Sequence, residues 1–176
     1  AISPVGAGDA IPSSIGDTAV LPVGAGNTPS NGITLVSGTL DVSGSDSGET
    51  GGTVKVLGEK VGLMSAALID ASGQAGGGTV LVGGNYQGKG AEHNASRTFV
   101  ASGAQINADA TAHGDGGTVV IWADDTTRYF GNISADGGKQ SGNGGNVEVS
   151  GKRSLEFIGG VDVAASNGRG GTVLLD

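Results

Sequence analysis

The residues able to do chemistry in this 176-residue chain are few, and their spacing suits catalysis poorly. Glycoside hydrolysis needs two carboxylates held a few ångströms apart across a groove. The adjacent acidic pair Asp124-Asp125 follows Trp122 at the end of an apolar run. Neighbours on a strand point to opposite sides, so this pair suits a turn better than a catalytic dyad. His93 and His113 are the only histidines, and neither has a second histidine or a cysteine at zinc-ligand spacing. A serine nucleophile turn of the form Gly-x-Ser-x-Gly does not occur. Calcium-binding nonapeptides need Gly-Gly-x-Gly-x-Asp in series. Asp115-Gly116-Gly117 and Asp136-Gly137-Gly138 place the acid before the glycines instead. No catalytic, metal-binding or cofactor-binding residue is therefore assigned, and no cofactor is expected. What is left is contact chemistry: Tyr86, Lys89, Glu92 and His93 close together in sequence, with Trp122 as a further aromatic. Trp122, Tyr129 and Tyr86 either face solvent for carbohydrate contact or pack beneath a loop. Asn94-Ala95-Ser96 and Asn132-Ile133-Ser134 match the glycosylation sequon at Asn94 and Asn132.

The elements that must position these residues are repeats. Gly-Gly followed by Thr or Asn and then Val occurs with its second glycine at Gly52, Gly78, Gly117, Gly145 and Gly171, in steps of 26, 39, 28 and 26 residues. Recurrence at this length marks stacked supersecondary units. A second motif keeps step with it: Leu40-Asp41-Val42, Ile69-Asp70-Ala71, Ile106-Asn107-Ala108, Ile133-Ser134-Ala135 and Val161-Asp162-Val163. In the unit from Gly145, Asn146-Val147-Glu148-Val149 alternates as a strand and residues 150–153 read as a turn. Residues 155–158 and 161–164 are second and third strands.

Three short strands in a coil of about 26 residues predict a parallel β-helix of roughly five coils stacking at about 4.8 Å. Val54, Val80, Val119, Val147 and Val173 form one inward column, with Val56, Val82, Ile121, Val149 and Leu175 beside it. Glycines sit at the corners for positive φ and close backbone approach. Thr53, Thr79, Thr118, Asn146 and Thr172 form an outward column. Either it orders water or, more simply, Thr suits an exposed strand.

The step of 39 places a loop insertion at 83–96, and insertions in solenoids carry binding. The β-helix itself spans 33–176. Residues 1–32 repeat Pro-Val-Gly-Ala-Gly at Pro4 and Pro22 and read as an extension, arm or cap. The chain has no initiator Met or signal peptide, so a processed product or excised fragment is expected. Its last residues, 172–176, read as the start of an uncapped coil.

Glycine supplies 37 positions and proline only 4, without a triplet, which excludes collagen. A net charge of -8 argues against nucleic acid. No apolar stretch is long enough to cross a bilayer, so membrane insertion is not expected. With no cysteine, stability must come from backbone ladders and not from disulfides.

Several segments resemble large two-partner-secreted exoproteins of the filamentous haemagglutinin type. They are Gly83-Gly84-Asn85-Tyr86-Gln87-Gly88-Lys89-Gly90, Ile106-Asn107-Ala108-Asp109-Ala110, Gly116-Gly117-Thr118-Val119-Val120-Ile121-Trp122-Ala123-Asp124, Gly144-Gly145-Asn146-Val147-Glu148-Val149-Ser150-Gly151-Lys152 and the closing Gly171-Thr172-Val173-Leu174-Leu175-Asp176. The resemblance covers residues 50–176, in the family's order. It implies a right-handed parallel β-helix exported through an outer-membrane pore partner and secreted or displayed on a Gram-negative-type cell surface. It also implies a non-catalytic role as adhesin, biofilm matrix or delivery stalk. The family's Asn-Pro-Asn-Gly-Ile-type secretion motif is missing, and Ser30-Asn31-Gly32-Ile33 is only an echo, so shaft is expected rather than export signal. The first reading is a structural shaft segment. The alternatives are a filament subunit joined end to end by strand addition and a carbohydrate-binding or polysaccharide-degrading β-helix with host or matrix glycans as partners.

Overall fold

The structure, a computed structural model, describes residues 18–21 and 32–176. Each coil contributes three strands in chain order. The first holds β1 (Thr18–Leu21), β2 (Ile33–Val36) and β3 (Thr39–Asp41). The second holds β4 (Thr53–Val56), β5 (Lys60–Leu63) and β6 (Leu68–Asp70). In the third are β7 (Thr79–Val82), β8 (Arg97–Val100) and β9 (Gln105–Asn107), and in the fourth β10 (Thr118–Ala123), β11 (Thr126–Tyr129) and β12 (Asn132–Ser134). β13 (Asn146–Gly151), β14 (Ser154–Phe157) and β15 (Gly160–Asp162) make the fifth, and β16 (Thr172–Leu175) follows. Among the described residues these form three parallel sheets: β1-β4-β7-β10-β13-β16, β2-β5-β8-β11-β14 and β3-β6-β9-β12-β15. The all-β solenoid is the fold expected from the repeats. Its registered partners lie 26 residues apart at Asn146 and Thr172 and 28 apart at Thr118 and Asn146, so the coil is slightly longer than the expected 26.

Strand β1 pairs in parallel with β4, from Thr18 on Thr53 to Leu21 on Val56, so part of 1–32 continues the first sheet. The repeated segments at 4–8 and 22–26 lie outside the described residues. Strand ends also differ from the sequence reading. β13 runs on to Gly151 where a turn was expected, because Trp122 and Ala123 of β10 pair with Ser150 and Gly151. Third-sheet strands begin one residue before the motif and stop at its Asp, Asn or Ser.

Alternation along each strand sends every second residue into one continuous core. Val54, Val80, Val119, Val56, Val82, Ile121 and Val149 are fully inaccessible, and Val147 is 3% exposed. The columns end at Val173 and Leu175, which are 40% and 46% exposed. Three inward threonines of the second sheet bond to the coil that follows: Thr34 Oγ1 donates to Leu57 O (2.9 Å), Thr98 Oγ1 to Trp122 O (2.6 Å) and Thr127 Oγ1 to Ser150 O (2.7 Å). Buried hydroxyls thereby find partners in place of water. Tyr129 also lies in the core and not at the surface. Its ring stacks on Phe157 at 5.1 Å, its hydroxyl donates to Gly160 O at 2.8 Å, and burial pushes the phenol well above its usual pKa.

The Gly-Gly columns are required by close approach and not by positive φ. None of these glycines has a positive φ. The second glycine of each pair donates its N–H to the residue just past a third-sheet strand: Gly78 to Ala71 O, Gly117 to Ala108 O and Gly145 to Ala135 O, each at 2.7 Å. A Cβ on Gly78, Gly117 or Gly145 would run into the carbonyl of Gly52, Gly78 or Gly117 in the preceding coil. A Cβ on Gly51, Gly77 or Gly116 would strike the carbonyl of Ala71, Ala108 or Ala135. The repeat is thus the footprint of coils packed backbone against backbone at one corner.

That corner also gathers carboxylates. Asp136 accepts Ala164 N–H at 2.8 Å and lies close to Asp109 and Asp162. Burial raises its pKa, the Ala164 hydrogen bond opposes the rise, and the Asp162 and Asp109 charges add to it. A raised carboxyl pKa means that the ionised form costs stability above the folded pKa, and that the cost disappears as pH falls through it. Asp136→Asn is therefore expected to raise the unfolding temperature at neutral pH, with the gain shrinking on acidification. Calorimetry across that pH range checks this.

Candidate functional site: the loop over the first sheet

Tyr86, Lys89, Glu92, His93, Asn94 and Trp122 meet at the outer face of the first sheet, whereas Asn132 lies on the third. Between β7 and β8 the chain leaves the coil at Gly83 and returns at Ser96, with one 3-10 turn over Tyr86–Gly88. Registered partners step by 39 residues from Thr79 to Thr118 and by 37 from Lys60 to Arg97, because this segment lies between them. The segment folds down against the sheet. Beneath it, the outward column runs Lys55, Leu81, Val120, Glu148 and Leu174. Leu81, Val120 and Trp122 form a second apolar cluster, 5%, 1% and 5% exposed.

Trp122 is the platform. Its indole Nε1 donates to Asp124 Oδ1 at 3.0 Å, and its ring lies against Gly84 and Gly88. A Cβ on Gly88 would sit 2.6 Å from Trp122 Cε2, and Gly88 has φ +65°. Only glycine meets both demands, the left-handed backbone and the flat contact with the ring. Gln87, just before it, is the one non-glycine residue with positive φ among the described residues (φ 55°).

Polar contacts seat the loop at either end. Glu92 Oε1 accepts from Lys55 Nζ at 2.9 Å and Glu92 Oε2 from Asn85 Nδ2 at 2.6 Å. At the far end Glu148, only 2% exposed, accepts Gln87 N–H at 2.9 Å and the Ser150 hydroxyl at 2.8 Å. The buried carboxylate is thereby satisfied on both oxygens, which its burial demands. Asn94 Nδ2 bridges Gly88 O (2.9 Å) and Asp124 Oδ1 (3.3 Å), while its own Oδ1 is buried without a partner.

The Asn85 hydrogen bond and the Lys55 ammonium hold the Glu92 carboxyl down at a pKa of about 2, from 4.5. With a depressed folded pKa, Glu92's contribution is complete above pH 4.5 and is lost as pH falls toward about 2. The protection of the loop amides, taken against the intrinsic exchange rate at each pH, is expected to fall through that window. In Glu92→Gln this acid-dependent part should vanish.

The candidate residues therefore divide. Tyr86 (52% exposed), Lys89 and His93 lie on the outward crest of the loop. Trp122 packs beneath the loop, the second of the two placements open to it, and Glu92 spends both oxygens inside it. His93 Nε2 lies 3.4 Å from Glu59 Oε2. Of the sequons, Asn94 has its amide engaged, whereas Asn132 is exposed on β12. Asp124 and Asp125 serve separate partners, Trp122 and Arg97. Among the described residues no three His, Asp or Glu side chains converge to hold a metal ion. Lys55 and Glu148 were not singled out by sequence. The signal for them was present: Leu81 and Val120 stand at outward positions where a solvated face would be polar, and a strand apolar on both faces is a covered strand.

No family model matches the chain, and no curated protein matches it. A solved structure does. The crystal structure of the HMW1 secretion domain from Haemophilus influenzae superposes with a TM-score of 0.64 and 29% identity, covering 82% of this chain. This chain is similar to that domain in fold and in sequence. It spans 37% of the length of that chain. No described helix is long and apolar enough to cross a membrane.

Proposed function

We propose that this chain is a structural, non-catalytic shaft segment of a secreted or cell-surface exoprotein of the adhesin or biofilm-matrix class, exported by a Gram-negative-type cell through an outer-membrane pore partner. The observation that carries this reading is the unbroken register of the first sheet, from Thr53 on Thr79 through Thr118 and Asn146 to Thr172. A ladder of this kind resists bending and proteolysis because its strands pair with the coils above and below them along the axis. It also needs no disulfide, in keeping with a chain that contains no cysteine. The likeness to a secretion domain supports export, and the segments that resemble filamentous haemagglutinin-type proteins support the adhesin class. The surface left for a host or matrix glycan is the loop crest of Tyr86, Lys89 and His93.

Electron micrographs of the parent protein, gold-labelled at the exposed Gln140, test the reading. A label along a rod supports it, and a label on a globular tip sinks it. Release of reducing ends or unsaturated sugars from a polysaccharide panel would establish an enzyme in its place. Light scattering over a dilution series separates shaft from self-assembling filament, which alone grows with concentration.

A further inference from the structure

A solenoid coil touches only its neighbours, so its stability is a sum of nearest-neighbour terms and coils open singly from an end. The loop departs from that rule. It leaves the third coil after β7, reaches back to β4 through Glu92 on Lys55 (2.9 Å) and forward to β13 through Gln87 N–H on Glu148 (2.9 Å). Lys55 and Glu148 occupy one column of the first sheet, three coil steps apart, or about 14 Å at the usual strand spacing. Between them the column is apolar, at Leu81 and Val120, where the loop and Trp122 cover it.

No residue from 85 to 94 is itself fully buried, and of the segment's side chains only that of Ala95 enters the core. Its contacts go to two distant coils and to the Trp122 platform between them. From this arrangement we propose that the loop is a clasp, which makes the second to fifth coils open as one unit. Opening the coil of β4 alone must break Lys55 from Glu92, and opening that of β13 must release Glu148 from Gln87. Either event loosens the cover over Leu81, Val120 and Trp122. The clasp therefore couples coils that share no direct contact.

Native-state hydrogen exchange tests this on the full chain, with the recognition site of a sequence-specific protease inserted between the exposed Lys89 and Gly90. That cut separates the Glu148 anchor from the Lys55 anchor. Before cleavage, the amides of β4, β7, β10 and β13 should open at one common rate. After it, those of β4 and β13 should exchange about tenfold faster than those of β7 and β10. Lys55→Met, which frees one anchor without cutting the chain, should speed β4 alone. Four distinct rates before cleavage, or rates at β4 and β13 unchanged within about twofold after it, would overturn the clasp. Neither result bears on the shaft reading, which the micrographs decide.

Discussion

Gly117→Ala is expected to lower the stability of the solenoid by about 3 kcal/mol, the upper range for overpacking a close-packed interior. The new methyl would meet the carbonyl of Gly78, with Ala108 Cβ and Gly77 C both at 2.9 Å. Two of these three neighbours are backbone, fixed by the ladder on either side, so a rotamer change cannot relieve the contact. Replacing glycine by alanine also removes freedom from the unfolded chain, a stabilising effect of about 0.4–1 kcal/mol. The clash is larger and decides the sign. Gly170→Ala is the control, because its nearest neighbour is Val163 O at 4.0 Å. It should fall within about 0.5 kcal/mol of the parent. Urea unfolding followed by far-ultraviolet circular dichroism measures both. Equal midpoints for the two variants would remove close packing as the reason for the glycine pairs.

Trp122→Ala should cost about 3 to 4 kcal/mol, as for other large-to-small changes at a buried aromatic. The indole is 5% exposed and supports Gly84 and Gly88. Its loss also leaves Asp124 Oδ1 without its 3.0 Å donor. The damage should be local. Trp122 points away from the central core, so Ile121 and Val149 keep their packing and the sheet signal should survive. The loop should come loose, and limited trypsin digestion should cut after Lys89 far sooner than in the parent. Trp122→Phe keeps a smaller ring under the loop but loses the indole hydrogen bond and the edge that Gly88 packs on, so about 1 to 2 kcal/mol is expected. Slow loop cleavage in the alanine variant would show that Trp122 does not hold the loop down.

The sequence alone determined that the chain is a three-strand parallel solenoid. It could do so because one rule repeats: a residue's inward or outward sense depends on its parity along a short strand, and stacking copies that sense from coil to coil. Val54, Val80, Val119 and Val147 needed no tertiary information to be aligned. The same regularity made the anomalous segment at 83–96 visible. Periodicity carries no information about what an irregular segment does, and there the tertiary structure decided. A loop of that length reads as free surface until Lys55 and Glu148, 93 positions apart, are seen in one column with Glu92 and Gln87 above them. The glycine pairs show the same limit. Their positions were legible, but the reason for them, a neighbouring coil's carbonyl where a Cβ would stand, belongs to a contact between residues 26 to 39 positions apart. Trp122 and Tyr129 had the same prospects of exposure by sequence. Only the packed coils placed one beneath the loop and the other in the core, because burial is a property of what folds over a residue and not of the residue itself.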